Sequence, residues 1–276
     1  MARAETMKYL FHDESLYVHP RYELKFVVPA NMVGPISDFA SVYCSIDKYS
    51  AMSENCFYRV NNLYFDTPNY LFLRKRIEGS ENRFNMRIRT YSDTTSMPCR
   101  FEIKQKNVNI IRKYKVVIHD ENWHRLFEDD GYGLYNEEDI EASSIKKLFL
   151  RMAYSYNAAP KVLSQYLRKA YISDVDDYAR ITFDTDLRYQ PADGYNLIPD
   201  ENKMVPLDDE TLFDPDCSVV LELKCNVSQV PLWMIDLIRH FDLFRRSFSK
   251  YVTGVSNVLK LYKSDPGLRQ AAVFLQ

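Results

Sequence analysis

Five strand-like stretches of this chain carry two charges flanking one apolar or aromatic residue. They are Glu23-Leu24-Lys25, Arg87-Ile88-Arg89, Glu102-Ile103-Lys104, Lys113-Tyr114-Lys115 and Glu222-Leu223-Lys224. Side chains alternate faces along a strand, so both charges of each pair point one way and the middle residue points the other. With Arg168 and Arg180 added, the cations Lys25, Arg87, Arg89, Lys104, Lys115, Arg168 and Arg180 all fall in strand-like segments. Arginine suits bidentate contact with phosphate oxygens, and lysine acts as a compact point charge. Strands that curl with these charges inward make a basic tunnel, which is expected to bind a polyanion and to be less stable empty. The plainer alternative is an exposed, one-sided sheet face. Such a face normally mixes Thr, Gln and Ser with its charges, and five charge pairs in one chain favour the tunnel.

The carboxylates add a second chemistry. Glu23, Glu102 and Glu222 each stand two residues before a lysine. Hard divalent cations take oxygen ligands and are commonly shared with substrate phosphates. Glu222 is the preferred metal ligand, while Glu23 and Glu102 are placed to hold neighbouring Lys or Arg side chains. An ion pair inside the barrel is the alternative for each. Phe248-Ser249-Lys250-Tyr251 opens the last helical segment, where free backbone N–H groups and the helix dipole favour an anion. Ser249 and Lys250 are positioned there for one end of a phosphate chain, against the alternative of a capped surface helix.

The elements that must position these residues follow from periodicity. Strands are expected at Arg21–Val28, Phe57–Phe65, Phe84–Tyr91, Arg100–Lys106, Ile110–Ile118, Lys161–Ile172, Tyr178–Phe183 and Ser218–Cys225, with Tyr70–Ile77 as a partner segment. Helices are expected at Met32–Asp47 (capped by Asn31), across most of Trp123–Asn157, and at Val230–Phe241 and Phe248–Leu261. Residues 190–216 hold eight Asp or Glu against one Lys and read as a long solvated loop. The fold class is therefore α+β: a closed eight-stranded antiparallel β-barrel with a polar, basic lumen and helices packed outside. Closure removes exposed strand edges. The domain runs over 21–262, with a lead-in at 1–20 and a tail at 263–276.

Bulk composition narrows the class. Among 276 residues, 46% are hydrophobic and 27% charged, which supports a real core. The net charge of −2 argues against nucleic acid as a partner, and it makes the local cation clusters more telling. Only 7 glycines occur and no GxxxxGK or GxGxxG is present, which excludes a glycine-rich phosphate loop. Five cysteines without CxxC spacing read as reduced thiols, and five scattered histidines make no zinc motif. No segment has a signal-peptide or membrane-spanning apolar run, so a cytoplasmic location is expected.

In this order and spacing the residues resemble the polyphosphate polymerase domain of the vacuolar transporter chaperone (VTC) family, a branch of the triphosphate tunnel metalloenzymes. The matching pieces are Arg21-Tyr22-Glu23-Leu24-Lys25-Phe26, Asn62-Leu63-Tyr64-Phe65-Asp66-Thr67-Pro68, Arg87-Ile88-Arg89-Thr90-Tyr91, Phe101-Glu102-Ile103-Lys104, Arg168-Lys169-Ala170-Tyr171, Arg180-Ile181-Thr182-Phe183-Asp184, Leu221-Glu222-Leu223-Lys224 and Ser247-Phe248-Ser249-Lys250-Tyr251. The resemblance implies an eight-stranded tunnel, dependence on Mn²⁺ or Mg²⁺, and transfer of the terminal phosphoryl group of ATP onto a polyphosphate chain. On that match Arg87, Arg89, Lys104 and Lys250 act at the transferring group. Lys25, Lys115, Arg168, Arg180, Lys224 and Ser249 bind substrate, and Glu222 holds the metal. Hydrolytic members of the superfamily carry an ExExK strand. Here Arg21 replaces the first Glu, which tilts the expectation from a triphosphatase toward a polymerase. A non-catalytic polyanion binder is the third reading. No membrane span of its own is expected.

Overall fold

The computed structural model describes residues 21–261, apart from 93, 109, 130–131, 133–139, 207–217 and 228. The expected lead-in, the tail and the most acidic part of the 190–216 loop lie outside the described residues.

Eight long strands form where alternation was expected: β1 (Arg21–Val28), β3 (Tyr58–Asp66), β4 (Asn82–Thr90), β5 (Cys99–Asn107), β6 (Ile110–Ile118), β7 (Ala159–Ser173), β8 (Ala179–Pro191) and β10 (Val219–Asn226). Two short ones join them, β2 (Cys44–Ile46) and β9 (Val205–Pro206). The order is β1-β10-β8-β7-β3-β4-β5-β6, with β2 beside β7 and β9 beside β8, and every pairing is antiparallel.

Two expectations need correction here. The sheet has ten strands, not eight, and it does not close: β1 and β6 end the order and exchange no pairing among the described residues. The reason lies on the free edge of β1. The Arg246 N–H donates to the Lys25 carbonyl at 2.9 Å, and Phe26 forms an antiparallel bridge with Arg245. The chain entering the last helix thus occupies the edge that β6 would need. The curl is still deep enough for Lys104 on β5 to reach Glu23 on β1 at 2.6 Å. The bore is a curved trough bridged by side chains across its seam.

The helices are α1 (Val33–Ser41), α2 (Lys48–Ala51), α3 (Leu71–Ile77), α4 (Ile140–Tyr156), α5 (Leu232–His240) and α6 (Lys250–Leu261). The expected Met32–Asp47 helix stops at Ser41, because Cys44–Ile46 adds to the edge of β7 as β2. Asn31 lies in a 3-10 turn, and Met32 is the residue before α1. Tyr70–Ile77 is helical instead of a strand partner. The buried Asp66 carboxylate accepts from the N–H groups of Thr67, Phe72 and Leu73 at 2.7–2.9 Å, which satisfies the first turn of α3. Residues 123–127 form a 3-10 turn ahead of α4. The 190–216 segment is less solvated than expected: Leu197 is fully buried, and Tyr195 stacks on Phe127.

Two cores lie on the convex side. Ile88, Phe101, Ile103 and Tyr114 pack against Leu148, Phe149 and Met152 of α4. Phe26, Ile181, Leu221 and Leu223 pack against Ile36 of α1 and Trp233, Met234 and Leu237 of α5, with Leu24 partly buried beside them. These include the middle residues of the charge pairs, each worth about 1.5–3 kcal/mol when fully buried. The third core corrects the expectation that all helices pack outside. The stripe Tyr251, Val255 and Val258 of α6 meets Val60, Tyr64, Val162, Tyr166 and Val220. Those strand residues share register parity with the charged positions, so α6 lies on the concave face. An apolar stripe at i, i+4 and i+7 must be covered, and this sheet wall covers it. A bulge where Gln165–Leu167 faces Thr185–Arg188, with Asp186 at φ 50°, shifts the alternation so that Asp184 faces the charges while Leu187 and Tyr189 face α6. Gly254 is required there: a Cβ would meet the Tyr189 ring at 2.5 Å.

Candidate functional site

The concave face away from the α6 stripe carries four carboxylates, and each is shared by two cations. Strand pairing sets this pattern, since Lys25 stands opposite Glu222, Lys224 opposite Glu23, Arg168 opposite Asp184 and Arg87 opposite Glu102. Glu222 receives Lys25 at 3.0 Å and Lys224. Glu23 receives Lys104 at 2.6 Å across the seam and Lys224 at 3.7 Å. Arg168 forks onto both oxygens of Asp184 at 2.6 and 2.7 Å, and Lys250 meets the same carboxylate at 2.6 Å. Arg87 donates through Nε and Nη2 to Glu102 at 2.7 and 2.6 Å, with Arg89 at 3.8 Å. Arg89 also donates to Asn62 Oδ1 at 2.7 Å and to the Tyr91 hydroxyl at 3.3 Å.

Opposite charges in this shared space set the ionisation of the carboxylates. Burial alone raises a carboxyl pKa, and here opposite charges outweigh it. Burial and Glu222 push Glu23 up, yet Lys104, Lys224 and Lys25 bring it down to about 2. Glu102 falls to about 2 because Arg87 and Arg89 outweigh its burial, and Asp184 falls to about 2 under Arg168 and Lys250. Glu222 is held well below the carboxylate range against its burial, by Lys224, Lys25, Lys250 and Arg168 in turn. Arg89 and Arg168 act on one another, and both act on the buried Tyr166. Lys113, at the exposed lip of β6, is lowered to about 8 by partial desolvation and then by Lys104.

Most of the expected site residues therefore meet: Lys25, Arg87, Arg89, Lys104, Arg168, Glu222, Lys224 and Lys250. Three stand apart in different ways. Arg180 is drawn to Asp47, the residue before α2, at 2.8 Å. Lys115 is exposed on β6 and, among the described residues, has no ion-pair or hydrogen-bond partner, though its charge reaches Glu102. Ser249 is half-buried ahead of α6, with its carbonyl taken by the Thr253 N–H at 2.9 Å. The buried start of α6 instead carries Lys250, which fixes that helix to Asp184. Glu23 and Glu102 do hold neighbouring cations. Lys169 points away from Arg168, toward Ser37 at 3.3 Å.

Sequence reasoning missed Asp184, Asn62, Tyr91 and Tyr166 as partners in the network. For Asp184 a signal existed, since it shares strand parity with Arg180 and Thr182. Tyr91 carried the same signal, sharing parity with Arg87 and Arg89 in the expected Phe84–Tyr91 strand, whereas Asn62 carried none without the β3–β4 register.

The donors available to a divalent cation are Glu222 and Glu23, near enough that each raises the other's cost of ionisation. No group of three or more His, Cys, Asp or Glu that could hold a metal exists among the described residues. Two carboxylates completed by phosphate oxygens match the habits of Mg²⁺ and Mn²⁺, so the residues fit a cation that arrives with its substrate. Arg21 lies 3.7 Å over the Tyr178 ring. No helix among the described residues is long and apolar enough to cross a membrane.

Comparison with known proteins follows this geometry. No curated protein matches the chain. The similar solved structures include the following three. A candidate adenylate cyclase from Bacillus halodurans shares 10% identity, with 84% of this chain and 94% of that chain covered and a TM-score of 0.47. A Hippeastrum protein, described as a candidate adenylyl cyclase with a dominant triphosphatase activity, shares 13% identity over 85% and 95%, at 0.44. The PH1819 protein of Pyrococcus horikoshii shares 11% identity over 88% and 98%, at 0.41. The VTC domain family matches residues 20–259, which is nearly the whole described fold. This chain belongs to the VTC domain family.

Proposed function

We propose that this protein is a polyphosphate polymerase: it binds ATP in the basic trough and passes the terminal phosphoryl group to a polyphosphate chain held in the same trough. The observation that carries this reading is the sharing of each carboxylate between two cations. A phosphate entering the trough takes over hydrogen bonds and charge that Glu102, Asp184, Glu222 and Glu23 now supply, and the cations stay in place. Phosphoryl transfer needs in-line positioning and charge neutralisation more than a covalent nucleophile. Arg87, Arg89, Lys104 and Lys250 neutralise the transferring group. Lys25, Arg168 and Lys224 line the adjoining phosphates, and Lys115 and Arg180 extend the track. Glu222, with Glu23 beside it, would hold a manganese or magnesium ion that supplies charge neutralisation on the phosphate oxygens when bound. Donor and acceptor in one trough explain why no general base for water is required. A cytoplasmic setting, where ATP is abundant, suits this activity.

Incubation of the purified chain with ATP and Mn²⁺ tests the proposal. Long-chain polyphosphate resolved on a gel, with ADP in equal amount to the phosphoryl units incorporated, is the expected product. Release of free phosphate alone would instead make the protein a tunnel triphosphatase. Tight polyphosphate binding without turnover would make it a binder.

A further inference from the structure

Beside the phosphate-binding cations, three tyrosines from different elements gather at one rim of the trough. Tyr49 of α2 stacks on Tyr91, which follows β4, with ring centroids 5.6 Å apart and planes 16° from parallel. Tyr58 of β3 meets Tyr91 edge-on at 5.8 Å and Tyr49 at 5.7 Å. Cations frame the group. The Arg100 guanidinium lies 4.5 Å from the Tyr91 centroid, Arg89 at 5.8 Å, and Lys48 at 5.1 Å from Tyr49. The Tyr91 hydroxyl accepts from Arg89, so the aromatic group begins where the phosphate network ends.

Packing needs explain only part of this cluster. Tyr58 is 8% exposed and serves the core, while Tyr49 keeps 38% of its surface. Anchoring of α2 does not depend on Tyr49. Ser50 is fully buried and accepts from the Ala170 N–H at 3.0 Å, and Asp47 both caps α2 through Ser50 and pairs with Arg180. A partly exposed tyrosine backed by a second ring, with a flat guanidinium over that second ring, is a surface on which a heteroaromatic ring can stack.

We infer that the Tyr49–Tyr91–Arg100 cluster is the nucleobase platform of this protein, holding the base of a nucleoside triphosphate whose phosphates enter the trough at Arg89. This rests on the reading of the trough as a triphosphate site and adds which end of the nucleotide lies where. The platform binds through π-faces and cations, so the affinities of different bases are expected to follow stacking strength.

The experiment is calorimetric titration of the full chain with ATP and, separately, with inorganic tripolyphosphate, for the wild type, Tyr49→Ala and Tyr49→Phe. Tyr49→Ala is expected to weaken ATP binding by roughly 5- to 100-fold while tripolyphosphate affinity changes less than twofold, and Tyr49→Phe is expected to retain wild-type ATP affinity. Equal weakening of both ligands, or no change for ATP, would overturn the platform and leave the phosphate site standing. Binding of neither ligand by the wild type would overturn both.

Discussion

Replacement of Arg89 by alanine separates the chemistry of the trough from its architecture. Arg89 is 7% exposed and donates to Asn62, to Tyr91 and, at longer range, to Glu102. Its loss does not strand the Glu102 carboxylate, because Arg87 still holds it with two bonds at 2.6–2.7 Å. Asn62 keeps its amide N–H contact with Ser164 at 3.3 Å, while its buried Oδ1 loses the Arg89 donor. The cost to the fold is two hydrogen bonds from a charged group, to Asn62 at 2.7 Å and to Tyr91 at 3.3 Å, about 1.5–3 kcal/mol each. Relief of like-charge repulsion on Arg87 and Arg168 offsets part of it. A net loss of roughly 2–4 kcal/mol lowers Tm by roughly 4–16 °C for a domain of this size. The substrate side has no such compensation. Truncating one side of a buried charged contact costs about 2–5 kcal/mol, or roughly 30- to 5000-fold in affinity for the phosphate it meets. Arg89→Ala should therefore keep its circular dichroism and cooperative melt while tripolyphosphate affinity and ATP-dependent turnover fall by at least roughly 30-fold. Turnover within threefold of wild type in the folded variant would remove Arg89 from the site and with it the proposed path of the phosphate chain.

Glu222→Gln leaves Lys25 and Lys224 without their strongest carboxylate, so metal-free tripolyphosphate binding should hold or tighten while Mn²⁺-dependent turnover drops about tenfold or more. Parallel loss of both in titration and turnover assays would make Glu222 a structural residue. Stability should fall in acid. The pKa values of Glu23, Glu102 and Asp184 are depressed to about 2. Their contribution is therefore present above the ordinary carboxylate range and disappears as pH drops from about 5 toward 2, on the order of a few kcal/mol in total. Urea midpoints that stay flat between pH 5 and pH 3 would contradict the ion-pair assignments. Gly254→Ala drives a methyl group into the Tyr189 ring and should cost about 1–3 kcal/mol in chemical denaturation. It should also reduce turnover, by shifting α6 and the Lys250–Asp184 contact of 2.6 Å. A variant with unchanged melting and activity would show that α6 does not seat there.

The charges of the site were legible in the sequence because strand alternation is local. Glu102 and Lys104 share a face whatever the rest of the chain does, and Ile103 must take the other. Convex burial of Ile88, Ile103, Tyr114 and Leu223 follows from the same rule. Where each cation finds its partner was not legible, since the Arg168–Asp184 and Glu23–Lys104 pairs join residues 16 and 81 positions apart. Such pairs depend on register and on how far the sheet curls. The open seam had the same origin: closure is a competition for the edge of β1, and the segment at Arg245–Arg246 takes it. Helix α3 escaped the pattern because a buried carboxylate, Asp66, organises its first turn. The concave seat of α6 depends on a bulge in β8 that reverses which residues face inward. Sequence by itself determined which residues are paired on a face and that cations would share one side of the sheet, because backbone geometry dictates period two. Only the tertiary structure decided which carboxylate each cation meets, where the trough opens and which aromatic rings border it, because those outcomes arise from long-range packing that no local spacing encodes.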